Sequence, residues 1–231
     1  MLFNFTLTTF IVIIPVVLIS ITVHELAHGL VADRFGDPTP RVTGRLTLNP
    51  IKHLDPMGAI LLAMVGFGWA KPVQVNPNNF KDIDKGYDVY FVDRDYYSVQ
   101  RQIRKKMMYV ALAGPISNIL LAIIAAVIYV HFDFLFRSFP ELSSTFFQTL
   151  IMINVFLATF NMLPIPPLDG SKVLGAFLPE SAYQKYMMIE DKGFLILMLL
   201  VITGALQYVI RPVAVFFINF VYFIATFGFR I

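Results

Sequence analysis

The chain has 231 residues, of which 57% are hydrophobic and only 14% are charged, and its formal net charge is +3. Soluble domains carry about 25% charged residues, so this composition is typical of a membrane protein. The absence of cysteine excludes disulfides, iron–sulfur clusters and thiolate zinc sites, and the small net charge gives no indication of nucleic-acid binding.

Five uncharged apolar stretches are each long enough to cross a bilayer as a helix, since a span needs about 20 residues. The first is too long for a cleaved signal peptide and lacks its basic start. A sixth stretch, Met57–Ala70, is shorter and contains three glycines, which predicts a re-entrant or membrane-associated β-hairpin element. The five long stretches are Leu2–Val23, Met107–Val130, Leu142–Leu168, Gly193–Ile210 and Pro212–Phe229.

These stretches predict an all-α polytopic membrane protein with about five transmembrane helices, forming one membrane-embedded domain over residues 1–231. Twelve of the 18 Lys and Arg residues lie between Arg34 and Lys106, whereas Arg137 alone lies between the second and third stretches. Cytoplasmic loops carry such an excess of basic residues, so this region should face the cytoplasm. Residues 76–106 then form a polar cytoplasmic loop or small hairpin, and its basic end can reach anionic headgroups.

The segment His24-Glu25-Leu26-Ala27-His28 directly extends the first apolar stretch and has the pattern H-E-x-x-H. Residues four apart share one face of a helix, so both imidazoles can bind one metal ion, with Glu25 beside them as a general base. Ionisable residues at membrane depth are costly unless they are paired or metal-bound. This cost favours a metal site over a hydrated polar cluster at a helix end.

A catalytic zinc ion needs three protein ligands and one open position. Of the other histidines, His131 lies at the far end of the second span, on the predicted opposite face of the membrane. His53 is more simply interpreted as pairing with Asp55 in a local cap or turn than as a metal ligand. Asp169 follows an apolar stretch and the proline-rich segment 164–167, and this pattern alone fits an ordinary turn at a membrane exit equally well. Two predicted crossings separate the H-E-x-x-H motif from Asp169, which brings both to the same face and favours Asp169 as the third ligand.

Four motifs occur in the chain in this order: His24-Glu25-x-x-His28, Gly66-Phe67-Gly68-Trp69-Ala70-Lys71-Pro72-Val73-x-Val75-Asn76-Pro77, Gly114-Pro115-x-x-Asn118 and Asn161-x-Leu163-Pro164-Ile165-Pro166-Pro167-Leu168-Asp169-Gly170. Together they make the chain resemble the site-2 protease family, the intramembrane zinc metalloproteases, in its minimal form without a PDZ or CBS domain. The resemblance implies Zn²⁺ bound by His24, His28 and Asp169, with Glu25 catalytic, and a transmembrane protein or peptide as substrate.

Two further features have open interpretations. Asn118, Asn154 and Asn161 lie within apolar stretches, where interhelical hydrogen bonding is one interpretation. The other is that Asn118 or Asn161 lines the catalytic cavity as a substrate or oxyanion donor. The segment Val73-Gln74-Val75 alternates like a short edge strand, which could hold an unwound substrate by strand addition.

The sequence thus predicts an intramembrane zinc metalloendopeptidase in a prokaryotic cell membrane, with an active site open to the cytoplasm. The alternative is a catalytically silent membrane scaffold or chaperone that retains the zinc site. A zinc transporter is disfavoured, because the five long apolar stretches contain no carboxylate.

Overall fold

The computed structural model describes residues 7–58, 70–81, 92–136 and 138–228. Within these ranges the chain is largely helical and has no β-strand, only a single antiparallel bridge between Leu54 and Ala70. The α-helices are α1 (Leu7–Arg34), α2 (Thr39–Val42), α3 (Val92–His131), α4 (Pro140–Asn161), α5 (Asp169–Phe177), α6 (Glu180–Met187), α7 (Glu190–Ile202) and α8 (Ala205–Phe223). Short 3-10 turns cover Pro50–His53, Pro77–Asn79 and Asp133–Phe136, and a π-helical turn, Ile224–Gly228, continues α8.

Four of these helices are long and apolar enough to cross a membrane, which is the architecture of an integral membrane protein. The spans are Ile11–Arg34, Tyr97–His131, Pro140–Asn161 and Ala205–Phe227. They share one apolar core, in which the small residues Ala122, Ala125 and Ala126 of α3 let neighbouring helices approach closely.

The boundary predicted between the last two spans is wrong, and the described residues contain four candidate spans instead of about five. Helix α7 has only 13 residues, which gives a length of about 20 Å against a hydrocarbon core of about 30 Å. It ends at a turn where Gly204 has a φ of 71°, a conformation that favours glycine. Helix α8 then runs without a break through Arg211 and Pro212.

The two ends of α8 lie at opposite ends of the bundle. At the start of α8, Leu206 packs in one apolar cluster with Leu163, which follows the end of α4. At the other end, His131 Nε2 lies 2.8 Å from the carbonyl oxygen of Ala225. Helix α8 therefore spans the bundle by itself, and Gly193 near the start of α7 lies against the carbonyl oxygen of Pro166, in the loop after α4.

Three other sequence predictions have different outcomes. The predicted loop 76–106 is helical from Val92 onward, because α3 begins well before the apolar stretch that starts at Met107. The polar residues in this region do not by themselves distinguish a helix from a loop. The predicted span Leu142–Leu168 ends as a helix at Asn161, since the prolines that follow cannot continue it. Most of the predicted element Met57–Ala70, and residues 82–91 of the loop, lie outside the described residues.

Asp37, just after α1, ties the end of that helix to the 3-10 turn at residues 77–79. Its carboxylate is fully buried and accepts hydrogen bonds from the backbone and hydroxyl of Thr39, from the Asn79 amide and from the Asn76 backbone. Burial by itself would raise the pKa of Asp37, but these hydrogen bonds outweigh it and hold that pKa below its ordinary value.

Replacing Asp37 with Asn should lower the free energy of unfolding by about 2 kcal/mol at neutral pH, because a charged hydrogen-bond acceptor is lost. A group whose pKa is depressed by folding stabilises the fold above its unfolded pKa and loses this effect as the pH falls through the folded value. The stability difference between wild type and Asp37→Asn should therefore be constant from pH 7 to about pH 5 and shrink below about pH 4. Thermal unfolding in detergent across this range measures it, and a pH-independent difference would contradict the assignment.

Candidate metal centre

Three buried side chains converge between α1, α3 and the start of α5. The Nε2 atoms of His24 and His28 are 3.0 Å apart, and each lies 3.2 Å from Asp169 Oδ2. In the described part of the chain, this is the one group of His and acidic residues whose ligand atoms are placed to hold a metal ion. The structure thus brings together the three residues that the motifs predict as ligands.

The two histidines come from consecutive turns of one helix, whereas Asp169 reaches them from the first residue of α5. A tight loop between α4 and α5 holds Asp169 in this position. A Cβ atom on Gly170 would clash with the backbone of Met162 and Leu163, so the loop can close this tightly only with glycine there. Tyr186 on α6 donates a hydrogen bond to the carbonyl oxygen of Pro164 at 2.9 Å, which fixes the loop from the other side.

The hydrogen bonds on the far side of each imidazole determine where its proton lies. His28 Nδ1 is 2.7 Å from the carbonyl oxygen of Val110, which can only accept, so His28 donates from Nδ1. His24 Nδ1 is 2.6 Å from Oδ1 of Asn118. The Asn118 amide nitrogen already donates to the carbonyl oxygen of Ser20, which identifies Oδ1 as the atom facing His24. Both histidines therefore carry their proton on Nδ1.

This proton placement leaves an unprotonated lone pair on each Nε2, and both lone pairs face a carboxylate oxygen. Three electron-rich atoms at such distances repel one another unless a cation lies between them. A tetrahedral zinc ion with bonds of about 2.0–2.2 Å keeps its ligand atoms about 3.3–3.6 Å apart, within a few tenths of an ångström of the observed separations. The donor set and its spacing therefore fit zinc.

A buried polar network orients His24 and joins the first three spans. Asn118 on α3 also donates to Oδ1 of Asn154 on α4 at 2.7 Å, and Asn154 donates to the Ser20 hydroxyl on α1 at 2.8 Å. Ser20 in turn donates to the carbonyl oxygen of Val16. All three polar side chains are fully buried, and both the amide oxygen and the amide nitrogen of Asn118 form hydrogen bonds in this network. A partner that holds the second nitrogen of a metal-binding histidine fixes the ring and its tautomer.

Gly114 on α3 provides the space that the imidazoles occupy. A Cβ atom at this position would lie 2.5 Å from His24 Cε1 and 2.5 Å from His28 Nε2, well inside van der Waals contact. Any side chain at residue 114 would push the metal-binding atoms apart.

Glu25 lies beside the triad without belonging to it. Its Oε2 accepts a hydrogen bond from the backbone nitrogen of Val73 at 2.8 Å, across 48 positions of sequence. No other hydrogen bond to Glu25 occurs within the described ranges, which leaves Oε1 available.

Several other predicted residues lie away from the three ligands. The Asn161 amide donates to the carbonyl oxygen of Leu157, and in the described part of the molecule it has no hydrogen bond to any ligand. His53 contacts the carbonyl oxygen of Thr47 and not Asp55, so the predicted pairing with Asp55 is wrong. His131 lies at the opposite end of the bundle, as predicted.

The interhelical hydrogen bonds predicted for Asn118 and Asn154 are present, whereas the sequence alone assigns no role to Ser20 or Gly114. The Gly114-Pro115-x-x-Asn118 motif signalled the region, but spacing alone did not show that its glycine and asparagine contact the imidazoles.

Comparison with known proteins decides the family. The model of Peptidase family M50 matches residues 11–141 and 138–206. YwhC of Bacillus subtilis strain 168, named as a zinc metalloprotease, is 37% identical over 199 residues, which cover 84% of this chain and 82% of YwhC. The chain belongs to Peptidase family M50.

Two further relatives of this M50 protein also carry the name of zinc metalloproteases. Rip2 of Mycolicibacterium smegmatis is 31% identical over 207 residues, covering 86% of this chain and 69% of Rip2. MJ0611 of Methanocaldococcus jannaschii is 29% identical over 195 residues, covering 80% of this chain and 84% of MJ0611. No solved structure matches the chain.

Membership confirms the site-2 protease resemblance, and with the four apolar helices it makes this chain an integral-membrane zinc metalloprotease. Zinc is the cofactor, and His24, His28 and Asp169 are placed to bind it.

Gly114→Ala should reduce zinc affinity by at least about 100-fold, because the added methyl group occupies the space of both imidazoles. Zinc content after dialysis against a graded chelator series measures the loss. The matched control is Ala113→Gly, which perturbs the same helix turn without adding atoms and should keep its zinc. Full zinc binding by Gly114→Ala would contradict the observed packing.

Asn118→Ala should weaken zinc binding by about 10–100-fold, because His24 loses the partner that fixes its orientation. The same substitution at Asn161, which does not contact a ligand, should leave zinc affinity unchanged. Competition with a fluorescent zinc chelator compares the two variants, and equal effects on affinity would remove the orienting role from Asn118.

Proposed function

We propose that this M50 metalloprotease hydrolyses peptide bonds within transmembrane segments of protein substrates, with zinc held by His24, His28 and Asp169. The observation that carries the proposal is the position of the metal ligands inside the α1 span. His24 lies ten residues before Arg34, the last residue of the α1 span, which corresponds to about 15 Å along the helix. A soluble peptide would have to enter the membrane region to reach this depth, whereas a transmembrane segment is already there.

The chemistry divides between the metal and Glu25. Zinc, when bound, supplies Lewis-acid polarisation of the scissile carbonyl and makes water more acidic. Glu25 acts as the general base: it accepts a proton from the attacking water and delivers it to the departing amine as the C–N bond breaks. The buried polar network keeps His24 in the tautomer that the reaction needs, which is the role we assign to Asn118.

A transmembrane helix must unwind locally before it is cleaved, because its carbonyls are engaged in helical hydrogen bonds. The segment at residues 73–75 has no regular secondary structure and contacts Glu25 through the Val73 backbone, and the backbone groups of Gln74 and Val75 form no hydrogen bond to described residues. These backbone groups support binding of the unwound substrate by strand addition.

We further place the site on the cytoplasmic side of a prokaryotic cell membrane, in a single membrane-embedded domain. The triad lies in the half of the bundle that carries most of the basic residues, in line with the positive-inside tendency. The relatives described above come from bacteria and an archaeon. The continuous core shared by the four spans supports one domain.

Glu25→Gln should reduce turnover of a transmembrane model substrate by about 100-fold or more, because the general base is lost, while zinc stays bound. Cleavage in nanodiscs and zinc content measured on the same preparation test this expectation. Glu141→Gln, at the exposed start of α4, is the matched control and should cleave like the wild type. Undiminished turnover by Glu25→Gln would favour another base, and no turnover by the wild type would favour the silent scaffold.

A further inference from the structure

The segment at residues 71–76 lies against the face of α1 that carries Glu25. Val73 donates its backbone N–H to Glu25 Oε2 at 2.8 Å. Its side chain also lies over the next turn of the same helix face, since a Cβ atom at Gly29 would be 3.5 Å from Val73 Cγ1. Val73 therefore meets α1 through both its backbone and its side chain.

The segment is fixed on either side of Val73. Before it, the Lys71 backbone nitrogen donates to the carbonyl oxygen of His53 at 2.9 Å. After it, the Asn76 backbone nitrogen donates to the buried carboxylate of Asp37 at 2.7 Å. These two anchors set the register of the segment, so its contact with Glu25 is part of a defined three-point attachment.

The contact has a direct chemical consequence for Glu25. A glutamate side chain has three rotatable bonds, and a general base is effective only when its accepting oxygen is held within hydrogen-bond reach of the proton. The Val73 N–H fixes Oε2, which restricts the carboxylate while leaving Oε1 free for proton transfer.

We propose that Val73 is a positioning residue, whose backbone N–H orients Glu25, so that the segment receiving an unwound substrate also sets the general base. This inference rests on the proposed function for its catalytic meaning. Movement of the segment on substrate docking is then transmitted to Glu25 through one hydrogen bond.

Amide hydrogen exchange tests the contact independently of catalysis. In zinc-loaded protein in nanodiscs, Glu25→Leu removes the acceptor and should increase the exchange rate of the Val73 amide by about tenfold or more. Glu25→Gln retains an acceptor oxygen and should keep most of the wild-type protection. Equal exchange rates in all three proteins would overturn the proposal, whether or not the enzyme cleaves transmembrane substrates.

Kinetics test the positioning role. Val73→Pro removes the N–H and should lower kcat by about tenfold to 100-fold with KM and zinc content little changed, because the base is misplaced. Val73→Ala keeps the N–H and should lower kcat less than Val73→Pro. Gln74→Pro removes the neighbouring N–H, which forms no hydrogen bond to described residues, and should instead raise KM. A loss of kcat that is equal in Val73→Pro and Val73→Ala, or equal KM effects in both proline variants, would show that the segment has only a structural role.

Discussion

The structure depends on the approach of two imidazole nitrogens and one carboxylate oxygen in a buried site. The hydrogen bonds at Nδ1 of His24 and His28 force both lone pairs inward, toward Asp169. Groups of this kind are expensive to bury together without a cation. The folded chain therefore has a preformed binding site for zinc, and many of the surrounding contacts hold these three atoms together.

Two parts of the fold meet this requirement in different ways. The histidine side is rigid because α1, α3 and α4 are joined by the fully buried network of Ser20, Asn118 and Asn154. In a membrane, such interhelical hydrogen bonds contribute about 0.6–2 kcal/mol each to stability. The same network also fixes the orientation of the His24 imidazole. The aspartate side relies on steric constraint, in the tight loop that ends at Asp169 and Gly170.

The ligands could be predicted from the sequence because each depends on a simple geometric rule. Helical spacing places His24 and His28 on one face, and an even number of crossings returns the chain to the same side for Asp169.

The number of spans depends on where α7 ends, and the decisive residue, Gly204, carries no charge that would mark a boundary. Arg211 looked like a boundary but lies inside α8, where its long side chain can reach the membrane surface. The contacts of Gly114, Asn118 and Val73 join residues far apart in sequence, and only the packed structure defines them.

The structure assigns one zinc ion jointly to His24, His28 and Asp169. X-ray absorption at the zinc edge, on purified wild type and Asp169→Ala, tests this joint binding. We expect about one zinc per wild-type chain, with two imidazole nitrogens and a carboxylate oxygen among its ligands, and loss of that spectrum in the variant. An unchanged zinc spectrum in Asp169→Ala would contradict it.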